Sequence, residues 1–269
     1  MEFRIQWVNL INFELRTHAD PPTHWIDLNA QGSFSLLPAN VQLEMATDKL
    51  SISLDFTQMA ASNLSQIPLT WHNPPEQDDI QLLQGSGLKV IPKPKTDYWQ
   101  KTFRNPPAAR ASGHALMYKV PVDVQKYVFE TTFSLDAKVI YDQAGIMVYA
   151  DDKHWLKAGI EYEADGKPKM SCVVTNEASD WSYFTWSTSK GVTVRCTCVH
   201  YRQSNPNVCE CLVEYKNEAG EWIFLREAPL LLSGEEQEQV QVGLMCCAPK
   251  KEGKEGMTVV FENFKLRQV

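Results

Sequence analysis

Long apolar runs and an excess of positive charge are what this sequence lacks. No stretch approaches about 18 uninterrupted apolar residues, so no membrane-spanning helix is predicted. Lys and Arg number 26 against 33 Asp and Glu, which gives a net charge of −7 and a pI near 5.4. Nucleic acids and anionic membrane surfaces bind proteins rich in Lys and Arg, so neither class of partner is expected. Residues 1–6 lack the basic start and apolar run of a secretion signal, which predicts a cytoplasmic protein.

The sequence also lacks the signatures of nucleophilic and phosphate chemistry. There is no Gly-x-Ser-x-Gly elbow. Gly85-Ser86-Gly87 is too short for a phosphate loop and is not followed by Lys and Ser or Thr. We therefore predict no catalytic residue and no cofactor from these motifs.

Seven cysteines are present, but the Cys-x-x-Cys spacing of zinc knuckles is not. On adjacent predicted strands, Cys196, Cys198 and His200 share a face, as do Cys209 and Cys211, with His200 expected opposite Cys211 and Arg202 opposite Cys209. This group could bind zinc, but the valines on the same faces favour core packing, because reduced cysteine behaves as a small hydrophobe. The prediction is reduced, buried thiols and no metal.

Alternating apolar and polar residues dominate the chain, and long helical periodicity is scarce. The one helix candidate, over residues 58–65, is short. Short strands separated by frequent turn residues predict an all-β sandwich or barrel. The predicted strands cover residues 3–15, 41–56, 119–135 as two strands, 145–150, 155–163, 169–176, 192–202, 208–216, 222–227, 240–246 and 257–266.

A change in composition over residues 67–94, with five prolines and an acidic run, indicates a connecting region. It places a domain boundary near Thr70. The prediction is a β-rich N-terminal extension over 1–70 and a main β domain over 71–269.

The stretch from Gly145 to Asn176 carries the most information. A three-residue hairpin loop, Ala164-Asp165-Gly166, would pair Glu161 with Lys169 and Ile160 with Met170. A two-residue loop would shift the register by one, but the first register agrees with the apolar pattern on both strands. It places Leu156, Ala158 and Ile160 on the core face.

The opposite, outer face of this hairpin then carries Trp155, Lys157, Glu161, Lys169 and Ser171. An aromatic ring beside charged hydrogen-bonding groups suits a sugar, which presents an apolar face and a rim of hydroxyls. The alternative is a solvated sheet face with a cross-strand ion pair, worth about 0.2–1 kcal/mol. Nearby, Asp142 and Asp180 each lie beside an aromatic residue at a predicted strand end, where they either join a loop-borne site or cap turns.

Six sequence blocks, in this order and spacing, resemble the regulation-of-enolase family, which is built on a domain of formerly unknown function. The resemblance covers about residues 71–269. The blocks are Pro94-Lys95-Thr96-Asp97-Tyr98-Trp99, Gly113-His114-Ala115-Leu116, Tyr141-Asp142-Gln143-Ala144-Gly145-Ile146-Met147, His154-Trp155-Leu156-Lys157-Ala158-Gly159-Ile160-Glu161, Ser171-Cys172-Val173-Val174-Thr175-Asn176 and Ser179-Asp180-Trp181-Ser182.

The resemblance implies a concanavalin A-like jelly-roll β-sandwich, a cytosolic location and a role in regulating a glycolytic enzyme, without an established catalytic mechanism. A carbohydrate or sugar metabolite and a glycolytic enzyme are therefore the candidate partners. The candidate ligand-binding residues are the positions that match the motifs: Asp97, Trp99, His114, Asp142, Gln143, Trp155, Lys157, Glu161, Asp180 and Trp181.

We thus predict a non-catalytic binding or regulatory protein. The first alternative is a carbohydrate-active hydrolase using two carboxylates from Glu161, Asp142 and Asp180. The second is a protein-interaction scaffold in which the N-terminal extension makes the contact.

Overall fold

The structure, a computed structural model, describes residues 24–28, 34–38, 41–43, 49–103, 105–232, 239–253 and 256–269. Strands dominate the described residues. They are β1 (His24–Leu28), β2 (Phe34–Pro38), β3 (Val41–Leu43), β4 (Ser51–Asp55), β5 (Thr70–His72), β6 (Ile80–Leu83), β7 (Gly87–Val90), β8 (Tyr98–Gln100), β9 (Ala109–Ala111), β10 (His114–Lys119), β11 (Lys126–Asp136), β12 (Gln143–Asp151), β13 (His154–Tyr162), β14 (Pro168–Asn176), β15 (Ala178–Thr185), β16 (Val192–His200), β17 (Val208–Lys216), β18 (Trp222–Leu231), β19 (Gln241–Cys247), β20 (Thr258–Phe261) and β21 (Asn263–Gln268).

Most of these strands form two antiparallel sheets packed face to face. The seven-stranded sheet has the order β15-β14-β13-β12-β19-β10-β5. The ten-stranded sheet has the order β18-β17-β16-β11-β20-β7-β6, with β21 pairing both β11 and β4, and β3 pairing β4. The inner faces share one apolar core, to which Leu156 and Val148 contribute from the first sheet and Phe129 and Val194 from the second. The prediction of an all-β, jelly-roll sandwich is confirmed.

The central hairpin has the predicted register. In β13 and β14, Glu161 lies opposite Lys169 and Ile160 opposite Met170. Gly166, in the turn, has a φ of 72°, the left-handed conformation that glycine adopts without a steric penalty. The hairpin therefore has the predicted inner and outer faces.

The cysteine hairpin differs from the prediction in its register but not in its faces. His200 lies opposite Cys209 and Cys198 opposite Cys211, a shift of two residues. The chain turns earlier than Asn205-Pro206 suggests, because the backbone N–H groups of Ser204 and Asn205 both donate to the carbonyl oxygen of Tyr201. Since the shift is an even number of residues, the cysteines still point into the core.

Several local predictions are wrong. The helix expected over 58–65 is only a 3₁₀ turn at Ala61–Gln66, in which no residue is buried, so it lacks the apolar face that would stabilise a longer helix. Ser179–Ser182, expected in a loop, belongs to β15 and pairs with β14. The 3₁₀ turn at Gln77–Asp79 and the strands β1, β2 and β5–β10 were not predicted. Of these, β5, β6 and β7 lie within residues 67–94, the predicted connecting region, but each pairs into one of the two main sheets. The two strands predicted over 119–135 are replaced by one strand, β11.

Residues before the predicted boundary also contribute to the sandwich. β4 pairs with the C-terminal strand β21, and Leu54, Phe56 and Met59 are buried in the core shared by the two sheets. β1 and β2 form a separate two-stranded antiparallel sheet. The strand predicted over 3–15 lies outside the described residues, and the division at residue 70 stays a prediction.

Candidate functional site

The outer face of the seven-stranded sheet is covered by one segment of the chain, of which residues 92–103 and 105–113 are described and which we call the covering segment. Tyr98 of this segment is fully buried, and its ring meets that of Trp155 edge-on with centroids 5.7 Å apart. The Tyr98 hydroxyl donates to the carbonyl oxygen of Gly113 at 2.8 Å, which fixes the ring over the sheet. The result is a second hydrophobic cluster, made of Tyr98, Ala115, Met117, Met147, Tyr149, Trp155, Val173, Met245 and Cys247.

This cover changes the meaning of the outer face. The hairpin residues predicted to stand on a solvated or ligand-facing surface are all buried: Trp155, Lys157, Glu161, Lys169 and Ser171. The predicted cross-strand ion pair is also absent from the described contacts, because Lys169 Nζ bonds to Asp165 and Thr185 instead of Glu161. Much of the outer face is therefore core, and polar groups remain only where the cover ends.

At that end a pocket of about 140 Å³ lies between the covering segment and strands β12, β13 and β15. Its polar floor and aromatic rim contain six of the ten candidate residues together with two that the sequence reasoning missed. The lining residues are Asp97, Trp99, Phe103, Tyr141, Gln143, Lys157, Glu161 and Trp181. We call this the aromatic pocket.

Lys157 organises the floor of the aromatic pocket. Its Nζ donates to Gln143 Oε1 at 2.6 Å and to the Tyr98 carbonyl oxygen at 2.8 Å, and lies 3.9 Å from Asp97 Oδ1. A buried ammonium needs such partners, because an unpaired charge removed from water is costly. Lys157 thus holds strand β12 and the covering segment together beneath the pocket.

Glu161 is the second ionisable group of the floor. Ser171 Oγ donates to its Oε2 at 3.4 Å. Burial raises the pKa of Glu161 to about 7, with the nearby Lys157 opposing the shift and Asp97 adding to it. This carboxyl group therefore changes its protonation near neutral pH and can either accept or donate a hydrogen bond there.

Aromatic side chains form the rim, centred on Trp181. Its ring lies 6.3 Å from that of Trp99 at 88° and 6.5 Å from that of Tyr141 at 78°, with distances taken between centroids. Trp99 Nε1 donates to the Thr102 carbonyl oxygen at 2.7 Å, and Phe103 extends the rim from an exposed position 6.4 Å from Trp99. Perpendicular rings of this kind present both faces and edges to a small molecule.

Trp155 is not part of the aromatic pocket. It is fully buried in the second hydrophobic cluster, and its Nε1 donates to the Asp152 carbonyl oxygen at 3.3 Å. Its role in the structure is packing against Tyr98.

His114 lies away from the pocket and joins two loops to β10. Its Nε2 accepts the backbone N–H of Lys93 at 2.9 Å, and its Nδ1 lies 2.5 Å from the Asn73 carbonyl oxygen, to which it donates as the neutral tautomer. Burial lowers the pKa of His114, which favours that neutral form.

The two aspartates proposed to flank the site also lie elsewhere. Asp142 Oδ2 accepts the backbone N–H groups of Lys138 and Val139 at 2.8 and 3.0 Å, the turn-capping alternative, and burial raises its pKa. Asp180 is 71% exposed and pairs at 2.6 Å with Arg226 of β18, on the side of β15 opposite to Trp181. Neither lines a pocket with Glu161.

The two residues that sequence reasoning missed differ in their signals. Tyr141 begins one of the six blocks, next to Asp142, and could have been included on that basis. Phe103 belongs to a loop outside every block, and an exposed loop aromatic carries no sequence pattern that points to a site.

Six of the seven cysteines lie in the main core, and the seventh, Cys247, lies in the second hydrophobic cluster. Those of β16 and β17 are fully buried, with Sγ atoms 3.7 Å apart for Cys196 and Cys198 and 3.9 Å apart for Cys209 and Cys211. Of the described side chains, Cys196, Cys198 and Cys211 form the group whose spacing could accommodate a soft metal ion. Burial raises the pKa of Cys196, which favours its neutral thiol. Burial opposes ionisation of Cys198 as well, but hydrogen bonds from Cys196, Cys209 and Cys211 together outweigh it and lower the pKa of Cys198, which favours the thiolate that a metal requires.

The chain is similar to a protein family, to a yeast protein of known name and to several solved structures. A family model described as "Protein of unknown function (DUF1349)" matches residues 71–269. Regulation of enolase protein 1 of Saccharomyces cerevisiae is 31% identical over 199 residues, which covers 73% of this chain and 88% of the relative.

None of the helices among the described residues is long and apolar enough to cross a membrane.

Among solved structures, a functionally unknown protein from Saccharomyces cerevisiae is 30% identical, with a TM-score of 0.59 over 74% of this chain and 95% of its own. The GH43 protein BlXynB from Bacillus licheniformis has a TM-score of 0.57 over 91% of this chain and 46% of its own. At 12% identity, that second likeness concerns the fold alone.

Proposed function

We propose that this chain, which belongs to the DUF1349 family and is similar to Regulation of enolase protein 1, is a non-catalytic regulatory protein that binds a small ligand in the aromatic pocket. The ligand we propose is a carbohydrate or sugar metabolite of about one ring. A glycolytic enzyme is the proposed protein partner, and the cytoplasm the proposed location.

The observation that carries the proposal is a polar floor under an aromatic rim. Asp97, Gln143, Lys157 and Glu161 place hydrogen-bonding atoms of both kinds at the base of a pocket walled by Trp99 and Trp181. Sites for small molecules commonly combine aromatic walls with a few placed polar groups. A cavity of about 140 Å³ is close to the roughly 150 Å³ that accommodates one benzene ring, which favours a single sugar ring over a chain.

The regulatory part of the proposal rests on the relative. The name of the yeast protein assigns it to the regulation of enolase. A bound metabolite would contact Trp99 and Phe103 of the covering segment, so occupancy can alter a surface that a partner enzyme reads. If no small molecule binds in the pocket, the alternative function is that of a protein-interaction scaffold.

The hydrolase alternative loses support from the positions of its carboxylates. Asp142 is bonded to backbone N–H groups and Asp180 to Arg226, so neither forms a pair with Glu161. Asp97 does share the pocket with Glu161, but it lies between Lys157 and Arg110, with oxygens 3.9 and 3.8 Å from their nitrogens. Asp97 thus lies where it can act as a counter-ion of Lys157 and Arg110, which is a structural role.

The test is a thermal-shift titration with neutral hexoses and pentoses, comparing the wild-type chain with Trp181→Ala. Ligand at 100 times its Kd stabilises the folded state by about 2.7 kcal/mol, which a melting curve resolves. We expect Trp181→Ala to abolish the shift, because it removes the centre of the rim.

The matched control is Trp222→Ala, which removes a partly buried tryptophan stacked on Arg195 in the other sheet. It should keep the shift. Equal responses of the two variants would refute the pocket, and release of a reducing sugar from an oligosaccharide would refute the non-catalytic assignment.

A further inference from the structure

A second cavity, of about 370 Å³, lies beside the covering segment and is lined mainly by cations. Its lining residues are Lys95, Arg110, Pro249, Lys250 and Glu252. Three positive side chains against one carboxylate is a local excess of positive charge in a chain whose net charge is −7. Like charges gathered in a concave surface attract and concentrate an anion.

The donors of these cations are largely unused. Among the described residues, the side chains of Lys95 and Lys250 have no ion pair and no hydrogen-bond acceptor. Arg110 Nη1 lies 3.8 Å from Asp97 Oδ2, which is beyond the length of a charge-assisted hydrogen bond. The ammonium and guanidinium groups can therefore donate to another anion without giving up an existing bond.

Hydrogen bonds join the two backbone segments that carry the exposed side chains of Lys95 and Lys250. Lys95 adopts a left-handed φ of 62°, and its N–H donates to the carbonyl oxygen of Ala248 at 2.9 Å. In return, the Ala248 N–H donates to Thr96 Oγ1 at 3.1 Å. These bonds join the segment that carries Lys95 to the one that carries Lys250, and strained backbone of this kind clusters at binding sites.

Asp97 connects this cavity to the aromatic pocket. Its carboxylate lines the aromatic pocket with Oδ1 toward Lys157, while Oδ2 faces Arg110 of the cationic cavity. Asp97 therefore lies between the floor of the aromatic pocket and Arg110 of the cationic cavity, and a ligand that extended past Asp97 from the first cavity would meet the cations of the second.

We propose that the cationic cavity is an anion subsite, and that the ligand of the aromatic pocket is a phosphorylated monosaccharide whose phosphate group binds Lys95, Arg110 and Lys250. This inference rests on the proposed function and names its ligand class. The phosphate supplies acceptor oxygens for the three cations, whose positive charges outnumber the one carboxylate, Glu252, that lines the same cavity.

Calorimetric titration of the full chain with glucose, fructose and their 6-phosphates, and with inorganic phosphate, tests the inference. The phosphorylated sugars should bind at least about tenfold more tightly than the neutral sugars at low ionic strength, and raising the salt should reduce the difference. The double variant Lys95→Gln, Lys250→Gln should bring the affinity for the 6-phosphates down to that of the neutral sugars.

The control is the double variant Lys126→Gln, Lys190→Gln, which removes the same charge from exposed lysines that line neither cavity. It should leave the preference for 6-phosphates intact. Melting curves of both variants establish that each is folded before binding is compared.

The remaining outcomes distinguish failure of the anion subsite from failure of the proposed sugar pocket. Equal affinity for neutral and phosphorylated sugars overturns the anion subsite while the sugar pocket stands. Binding of inorganic phosphate that needs Lys95 and Lys250, without binding of any sugar, supports the anion site and overturns the sugar pocket. Binding of phosphatidic acid vesicles or a phosphoserine peptide in place of the sugar phosphates overturns the small-molecule assignment, and no binding by any probe overturns both.

Discussion

The two faces of the seven-stranded sheet are built from the same strands but have different surroundings. Leu156, Ala158 and Ile160 of β13 point inward and pack against the second sheet. Trp155, Lys157 and Glu161 point outward, where the other sheet is absent and a single segment of the chain provides the cover. The inward residues of β13 from Leu156 to Ile160 are all apolar, whereas the outer face changes along the same strand from a hydrophobic cluster to a polar pocket.

This difference shows how a binding pocket can form on a buried face. A second sheet would exclude water from the whole surface and leave charged groups without partners. A short segment covers only part of it, and where it ends Lys157 and Glu161 obtain polar partners beside an opening. The extent of the cover, and not the strand alone, sets the position of the aromatic pocket.

Trp155→Ala is the strongest test of whether the covered part of the outer face is a core. We expect a loss of about 3–5 kcal/mol in the free energy of unfolding, the range for deleting a buried tryptophan. The measurement is urea denaturation, with Leu156→Ala as the inner-face control at about 2–5 kcal/mol. A loss below about 1 kcal/mol at Trp155 alone would mean that the outer face is not a second core.

Glu161→Gln tests the polar part of the same face through the pH dependence of the free energy of unfolding. Because burial raises the pKa of Glu161 from 4.5 to about 7, the folded state holds this proton more tightly than the unfolded state. The carboxyl group therefore lowers stability as the pH rises from its unfolded pKa toward about 7, by up to about 3 kcal/mol.

The measurement is the free energy of unfolding at pH 4.5 and pH 8 for both proteins. Relative to the variant, the wild-type chain should be less stable at pH 8 than at pH 4.5. A difference between the two proteins that stays constant with pH would show that Glu161 is not desolvated by the fold.

Lys157→Met tests the polar contacts that tie the covering segment to the sheet. The change leaves Gln143 Oε1 and the Tyr98 carbonyl oxygen without their donor, which should cost about 1–3 kcal/mol in urea denaturation. Lys169→Met is the control, since Lys169 is equally buried on the same face but bonds to Asp165, which water can solvate in its place. Equal losses would contradict a special role for Lys157 in anchoring the cover.

Cys172→Val should have the smallest effect and tests the inner face. Cys172 is fully buried in the main core on β14, next in sequence to the outer-facing Ser171. A swap between small hydrophobic side chains of similar size should change the free energy of unfolding by less than about 1.5 kcal/mol. A larger loss in chemical denaturation would mean that this thiol does more than fill space.

The faces and pairings of the central hairpin were accessible to sequence reasoning because they are local. Alternation assigns each side chain of β13 and β14 to a face, and the turn at Gly166 sets the register. The same reasoning failed by two residues in the cysteine hairpin, where the turn at Tyr201 forms before Asn205-Pro206. A seven-residue connection offers several turns, and only the assembled sheet selects one.

The candidate site was predictable in part for the same reason. Gln143, Lys157 and Glu161 occupy outward positions on the neighbouring strands β12 and β13. The pairing of these two strands therefore brings their side chains close together on the outer face. Asp97 and Trp99 come from a segment far away in the chain, and motif order, not geometry, pointed to them. No sequence pattern around Asp180 and Trp181 predicted that they lie in a strand. Because neighbouring residues of a strand point to opposite faces, only Trp181 faces the pocket.

The sequence by itself determined the all-β class, the two faces of the central hairpin and the burial of the cysteines, because each follows from alternation and turn chemistry over a few residues. The tertiary structure alone decided that the outer face is covered, that Trp155 is core and that Asp97 stands between two cavities. Those outcomes depend on where the covering segment crosses the sheet, which is a contact between distant parts of the chain that no local pattern encodes.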